Sequence, residues 1–136
     1  MLISTIDFDK ITQQLRTIEQ TYYTKFEFIN MLREKLGKAQ KVPPQEIPSD
    51  VVTMNSVVQL KQVNTTTVLN MKLVYPEWEN IREHKLSIFS ALGIAVFLSR
   101  IGDEVTYSTW KKDNQIKILD IPFQPEANGH FTVKTA

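Results

Sequence analysis

Apolar residues along the chain change their period once, and the change divides it. Through residues 7–41 they recur at helical spacing: Ile11, Leu15, Ile18 and Tyr22, then Ile29, Leu32, Leu36 and Ala39. Steps of three and four place each set on one narrow stripe, the stripe that two packed helices bury against each other. Between the stripes, Thr24 and Glu27 have the spacing of a capping box, in which the threonine oxygen accepts from the glutamate amide and the carboxylate reaches back to the cap amide. The pattern predicts a break near residues 20–24 and a second helix from Lys25. Lys35, Lys38 and Lys41 gather at its end, where the helix dipole is negative, and Pro43 and Pro44 stop it. The expected product is a short antiparallel helical hairpin (a coiled coil), each arm ~16 residues and ~24 Å long. A hairpin that short has little core of its own and must lean on the rest of the chain, on a second copy or on a partner.

"KVPPQEIPS", residues 41–49, carries three prolines and predicts an extended, stiff connector. The expected division is a helical hairpin over residues 1–45 and a second domain over 46–136. Beyond the connector the period is two. Val58 and Leu60 alternate with Gln59 and Lys61, and Leu69, Met71, Leu73 and Tyr75 alternate with Asn70, Lys72 and Val74. Val105, Tyr107 and Thr109 share one face of a strand whose other face ends at Trp110, and Ile116 and Ile118 flank Lys117. These read as half-buried strands of a mainly antiparallel sheet. "GD" at 102–103 and "KKDNQ" at 111–115 supply turns. "ALGIAVFLS", residues 91–99, is apolar nearly all round and predicts one short helix buried on the sheet. The predicted class is α+β: a helical hairpin, then a curved sheet of about five strands with one inserted helix.

Composition narrows the function classes. With 136 residues, 42% hydrophobic and 23% charged, the chain has the make-up of an ordinary globular protein, and no apolar run approaches the length of a membrane helix. The N-terminal "MLISTIDFDK" lacks the basic and apolar regions of a secretory signal. Without a secretory route the Asn64-Thr65-Thr66 sequon carries no meaning. Cysteine is absent, which excludes disulfides, thiolate zinc sites and thiol catalysis and fits a reducing cytoplasm. The net charge is +1, and residues 1–48 hold seven of the 16 Lys/Arg against six of the 15 Asp/Glu. Neither part has the basic excess that holds a protein on phosphate backbones, so direct nucleic-acid binding is disfavoured.

Catalytic patterns are scarce. His84 and His130 lie far apart in polar, turn-like sequence, and four glycines supply no phosphate cradle. "EWENIRE", residues 77–83, is the densest acidic group and reads as a solvated loop after Pro76 rather than as paired catalytic carboxylates. Trp78 in that loop is a possible exposed contact. Asn55 and Ser56 interrupt the apolar run "SDVVTMNSVVQL" at 49–60, and are expected to bond local backbone where the connector enters the first strand.

Four segments carry a resemblance: "PSDVVTMNSVV", "LVYPE", "LSIFSALGIAVFLSRIGDEV" and "FQPEANG", in that order and spacing. Over residues 46–129 the chain resembles the GreA/GreB transcription elongation factor family, with Asp50–Ser56 the most specific piece. "FQPEA" at 123–127 points to the family's branch of nucleoside diphosphate kinase regulators rather than to the Gre factors themselves. The resemblance implies an N-terminal antiparallel coiled coil and an FKBP-like C-terminal domain that docks on RNA polymerase at the rim of the secondary channel. The docking loop would correspond to Ser90, Ala91, Leu92 and Gly93, with Ala91 standing where relatives usually have proline. Gre factors carry adjacent acidic residues at the coiled-coil tip, which hold a second Mg²⁺ in the polymerase active site and activate water for transcript cleavage. Here the tip is Gln20-Thr21-Tyr22-Tyr23-Thr24-Lys25, with no carboxylate. The resemblance therefore implies a cytoplasmic, non-enzymatic regulator that occupies the site without stimulating cleavage and competes with other secondary-channel factors. Tyr22, Tyr23 and Lys25 either touch the polymerase or only close the hairpin seam. No catalytic, metal or cofactor residue is assigned, and no specific DNA or RNA sequence. Two alternatives remain open: an FKBP-like prolyl isomerase walled by Trp110, Tyr107 and Phe97, and a polymerase-independent scaffold.

Overall fold

The computed structural model describes residues 1–21, 27–108 and 113–131, with the side chains of 18–21, 27 and 28 left aside. The chain opens with a short strand, β1 (Leu2–Ser4), which runs into helix α1 (Thr5–Thr21). Ser4 caps α1, its Oγ accepting the Asp7 amide at 3.0 Å. Helix α2 (Glu27–Lys38) follows, and then β2 (Gln40–Val42), which pairs parallel with β1, Leu2 opposite Gln40 and Ser4 opposite Val42. This pairing sets the start of α1 beside the end of α2.

The expected helix to residue 41 thus stops at Lys38. Pro43 disfavours helical backbone at Val42, and the extended residues 40–42 find their ladder partner in a strand too short for any periodicity to reveal. The two stripes hold where they are described: Ile11, Leu15, Ile29, Leu32 and Leu36 are buried, and Ala39 is half-buried. Ile18 has no described side chain, and Tyr22 with the expected cap at Thr24 lies outside the described residues.

The sheet has strand order β5-β4-β3-β7-β6, with β3 Val57–Gln62, β4 Val68–Val74, β5 Lys85–Ser87, β6 Glu104–Ser108 and β7 Asp113–Phe123. All neighbours are antiparallel except β4 and β5. Two register shifts between β3 and β7, at Val57/Gln59 and Gln59/Leu60, mark bulges that curl the sheet. The chain is therefore a mixed α+β fold: a helical N-terminal region, then a curled sheet.

Two expected turns fare differently. Arg100–Asp103 turns as predicted, with Gly102 at φ +94° and the Asp103 amide bonded to the Arg100 carbonyl at 3.0 Å. At the second, residues 113–115 belong to β7 instead: Asp113, Asn114 and Gln115 pair with Ser108, Tyr107 and Thr106. Thr109 and Trp110 lie outside the described residues.

The inserted helix α3 (Ala91–Val96) covers only the first part of the apolar run 91–99. Phe97 leaves the helix with ψ 131°, and Leu98 adopts φ +65°, costly for a bulky L-residue. Neighbours hold it there: the Leu98 amide donates to Val52 O at 2.9 Å, and the Val52 amide donates to Ser99 O at 2.8 Å. α3 packs against β6, β5 and α2.

One buried cluster includes Ile3 of β1, Ile11 of α1, Leu32 of α2, Val58 of β3 and Ile118 of β7. It continues through the proline-rich segment, where Val42, Pro44 and Ile47 are buried. That segment is less an exposed spacer than part of the core wall, its Pro44–Glu46 turn seated by buried side chains.

A cluster shared in this way should unfold as a unit. Both tryptophans, Trp78 and Trp110, belong to the second part of the chain. Leu32→Ala on α2 removes a fully buried side chain and should cost about 2–5 kcal/mol. We expect the urea midpoint read by tryptophan fluorescence to fall together with the midpoint read by helical circular dichroism. A fluorescence midpoint that stays put would show two independent cores.

Candidate docking site

Ser87, at the end of β5, organises the next six residues. Its Oγ accepts the Phe89 amide at 3.0 Å, and its carbonyl accepts the Ser90 amide at 3.1 Å and the Ser90 hydroxyl at 2.7 Å. Ser90 caps α3, its Oγ accepting the Gly93 amide at 3.0 Å. Gly93 is required here by a close approach, because a Cβ at that position would overlap the Ser87 carbonyl oxygen. The other end of α3 is held from outside: the Lys35 ammonium on α2 donates to the carbonyls of Ile94 at 2.6 Å, Ala95 at 3.2 Å and Phe97 at 2.6 Å. These are carbonyls that a helix end leaves without intrahelical partners. Burial pushes the Lys35 pKa down to about 8. Ser90, Ala91, Leu92 and Gly93 are thus brought together on one pinned turn, with Ala91 and Leu92 half-buried at its surface.

Beside this turn runs a groove of about 460 Å³ between α1 and the body, lined by Lys10, Gln13, Gln14, Thr17, Pro76, Glu77 and Phe89. Gln14 donates to both Glu77 carboxylate oxygens at 2.9 Å, which leaves its own Oε1 buried without a hydrogen-bond partner. Trp78 follows on a 3₁₀ turn, Pro76–Trp78, that packs against β5, and it is 36% exposed. It is not part of the Ser87–Gly93 hydrogen-bond set. Glu83 pairs with Lys85 at 3.1 Å, so the acidic loop is spread over separate partners. Tyr22, Tyr23 and Lys25 lie outside the described residues. Of the walls considered for a proline pocket, Phe97 is 0% exposed in the core, Tyr107 is half-buried on β6, and Trp110 is not described. The isomerase alternative gains no support from that arrangement.

A second polar cluster ties α1 to the sheet, and sequence reasoning missed most of it. Ser56 bonds local backbone as expected, its Oγ accepting the Thr53 amide at 3.1 Å, and it is buried. The Thr53 and Ser56 hydroxyls lie 2.8 Å apart, and Thr53 also donates to Glu126 Oε1 at 2.7 Å. Asn55 takes φ +65°, and its amide donates to Leu73 O. Next to this knot the Asp7 carboxylate of α1, 6% exposed, accepts the Met54 amide at 3.2 Å and the Tyr75 hydroxyl at 3.2 Å. Burial and the neighbouring Glu126 push the Asp7 pKa up to about 7 against the lowering effect of those two donors. Burial also raises Glu126, and burial with the Asp7 charge raises Tyr75. Gln124 finishes the cluster, its Nε2 donating to Pro48 O and Val51 O at 2.7 Å each and its Oε1 accepting the Ala127 amide at 3.1 Å. The two most specific pieces of the sequence, at 50–56 and 123–127, therefore meet in space.

Among the described residues, no three His, Cys, Asp or Glu side chains come together as a metal site, and no helix is long and apolar enough to cross a membrane.

Raised carboxyl pKa values give stability a definite pH slope. Between the ordinary aspartate value and about 7 the folded chain holds a proton that the unfolded chain releases. The contribution of this group to stability should be greatest below the ordinary aspartate value, decline as pH rises through about 7, and level off above it. The expected span is on the order of a few kcal/mol. Urea titrations across that range check the slope, and Asp7→Asn should flatten it. For the pinned turn, Gly93→Ala should destabilise by ~1–3 kcal/mol through the forced shift against Ser87. Gly102→Ala, strained only in an exposed turn, is the control for a general glycine effect.

Comparison with known proteins gives a consistent result. A family model described as "Transcription elongation factor, GreA/GreB, C-term" matches residues 47–123. The chain is 30% identical over 132 residues to the "Regulator of nucleoside diphosphate kinase" of Escherichia coli K12, covering 96% of this chain and 95% of that one. It is 27% identical over 96 residues to the "Transcription elongation factor GreA" of Thermodesulfovibrio yellowstonii, covering 71% of this chain and 61% of that one. Among solved structures, a prokaryotic transcription elongation factor GreA/GreB from Nitrosomonas europaea superposes with a TM-score of 0.77 at 28% identity, over 90% of this chain and 99% of that one.

Proposed function

Because the chain belongs to the GreA/GreB transcription elongation factor family, we propose that it is a cytoplasmic, non-enzymatic regulator that binds RNA polymerase near the secondary channel. In this reading residues 1–45 form the coiled-coil arm and residues 46–136 the FKBP-like docking domain. The contact is the turn Ser90–Gly93, extended by the groove beside Phe89. One observation carries the reading: that turn is pinned at both ends, by Ser87 and Ser90 on one side and Lys35 on the other, while Ala91 and Leu92 stay at the surface. A contact loop held in one geometry loses little entropy on binding. Ala91 is the first helical residue, where the N–H has no intrahelical partner and proline fits without strain.

The arm determines what the bound protein does. Its tip, residues 20–25, carries no carboxylate, so it has no ligand to offer a second Mg²⁺. The bound chain blocks the channel entrance without cutting the transcript, and competes with Gre factors that do. Tyr22, Tyr23 and Lys25 act at most as contacts from the tip, and Trp78 as one from the body.

The test is affinity for core RNA polymerase with the full chain. Leu92→Asp should weaken binding at least ~10-fold with the circular dichroism spectrum unchanged, while Ala91→Pro should bind as well or better. On stalled elongation complexes the protein should add no cleavage and should slow cleavage driven by a GreA factor. Binding untouched by Leu92→Asp would remove the docking assignment, and stimulated cleavage would remove the proposed role of the tip.

A further inference from the structure

β4 is paired unequally along its length. The odd-numbered residues face β3: the Leu73 amide donates to Ser56 O at 3.0 Å, and the Gln62 amide donates to Thr67 O at 3.3 Å. The even-numbered residues therefore face the opposite edge, as the Lys72 amide shows by donating to His84 O at 2.8 Å. β5 covers that edge only from Lys72 to Val74. Among the described residues nothing pairs with the outward N–H and C=O groups of Val68 and Asn70. Two apolar side chains there are exposed, Val68 at 46% and Leu69 at 48%, next to the exposed Asn70.

No charge, proline or bulge protects the uncovered part of this edge. Residues 62–71, "QVNTTTVLNM", contain no charge and no proline, and no bulge separates β4 from β3 in their register. Natural sheets blunt such an edge with lysine, proline or a kink. The lack of charge also bears on the choice of partner. A symmetric pairing places each residue against the same kind of segment, so a charged edge would repel itself while a neutral one does not. The chain's net charge of +1 adds little long-range repulsion between copies.

We propose that this edge is a self-association surface, on which two copies pair their β4 strands antiparallel about a twofold axis. Val68 of one copy stands opposite Asn70 of the other, exchanging backbone hydrogen bonds in both halves. Leu69 then faces its own counterpart across a non-hydrogen-bonded position, where side chains approach most closely. Lys72 falls opposite Thr66, which keeps the two lysines at opposite ends. Pairing stops there, because the outward amide of Lys72 is already taken by His84. The matched stretch is short, so the dimer is weak and belongs with interfaces smaller than about 1,200 Å². The proposal is independent of polymerase docking, since Ser90–Gly93 follow β5 and take no part in the edge.

Sedimentation of the full chain tests it, from about 10 μM to about 1 mM. The average mass should climb toward that of a dimer with concentration. Leu69→Lys and Leu69→Glu should each remain monomeric, because each sets like charges face to face, and an equimolar mixture of the two should associate again. Asn70→Pro removes an outward N–H that β3 does not use, so it should fold with little change in Tm and remain monomeric. A wild-type chain that stays monomeric throughout overturns the proposal. So does association that persists in Asn70→Pro, or a lysine–glutamate mixture that fails to recover it.

Discussion

The Lys35 ammonium reaches out of α2 and donates to three carbonyls at the end of α3. A charge taken from water is costly unless its donors are matched, and here all three are. That contact ties the helical region to the turn that carries Ala91 and Leu92. At a separate contact, Asp7 of α1 takes the Met54 amide and the Tyr75 hydroxyl. Each helix is thus tied down by one ionisable side chain, α2 to the end of α3 by the half-buried Lys35 and α1 to Met54 and Tyr75 by the buried Asp7. Directional bonds to particular backbone groups define an orientation in a way that an apolar seam alone, free to slide by a turn, does not.

Much of this architecture was legible from local pattern. Ile11, Leu15, Ile29, Leu32 and Leu36 declare themselves because a helix repeats within a few residues, and Val58/Leu60 and Ile116/Ile118 because a strand repeats within two. Ser56 was readable as a residue that bonds local backbone, as it does with the Thr53 amide. The remainder depends on partners far along the chain. β1 and β2 are too short to show a period, and each is a strand only because the other is present. Lys35 looked like a complement to the dipole of its own helix, and its actual acceptors belong to α3. Nothing in the local pattern singles out Asp7. Its burial follows from where β1 delivers α1, which no window around residue 7 contains. Asp113–Gln115 looked like a turn because their composition is polar, yet they extend β7 at the sheet's open end, where Asp113 and Gln115 are exposed.

Two of the four segments that carry the family resemblance meet in space, and the structure gives a physical reason for their joint appearance. Thr53 and Ser56 in one and Gln124 and Glu126 in the other form a single hydrogen-bonded knot. Gln124 closes on Pro48 and Val51, so the segment that follows β7 fastens the segment that leads into the first long strand. Such side chains satisfy backbone groups that neither helix nor ladder reaches, and none can be replaced alone without leaving a buried donor or acceptor unmet.

That clasp has a bearing on how the chain is made. β3 pairs with β7, Leu60 with Ile118, and Gln124 reaches back to residue 48. On the ribosome, helices, first hairpin and α3 all emerge before β7, the longest strand, exists. The newborn chain must wait, with its apolar stripes and the neutral margin of β4 uncovered, until residues 116–124 arrive. Pairings so distant in sequence close slowly. Crowding of nascent chains during synthesis is therefore the moment of greatest exposure for this protein.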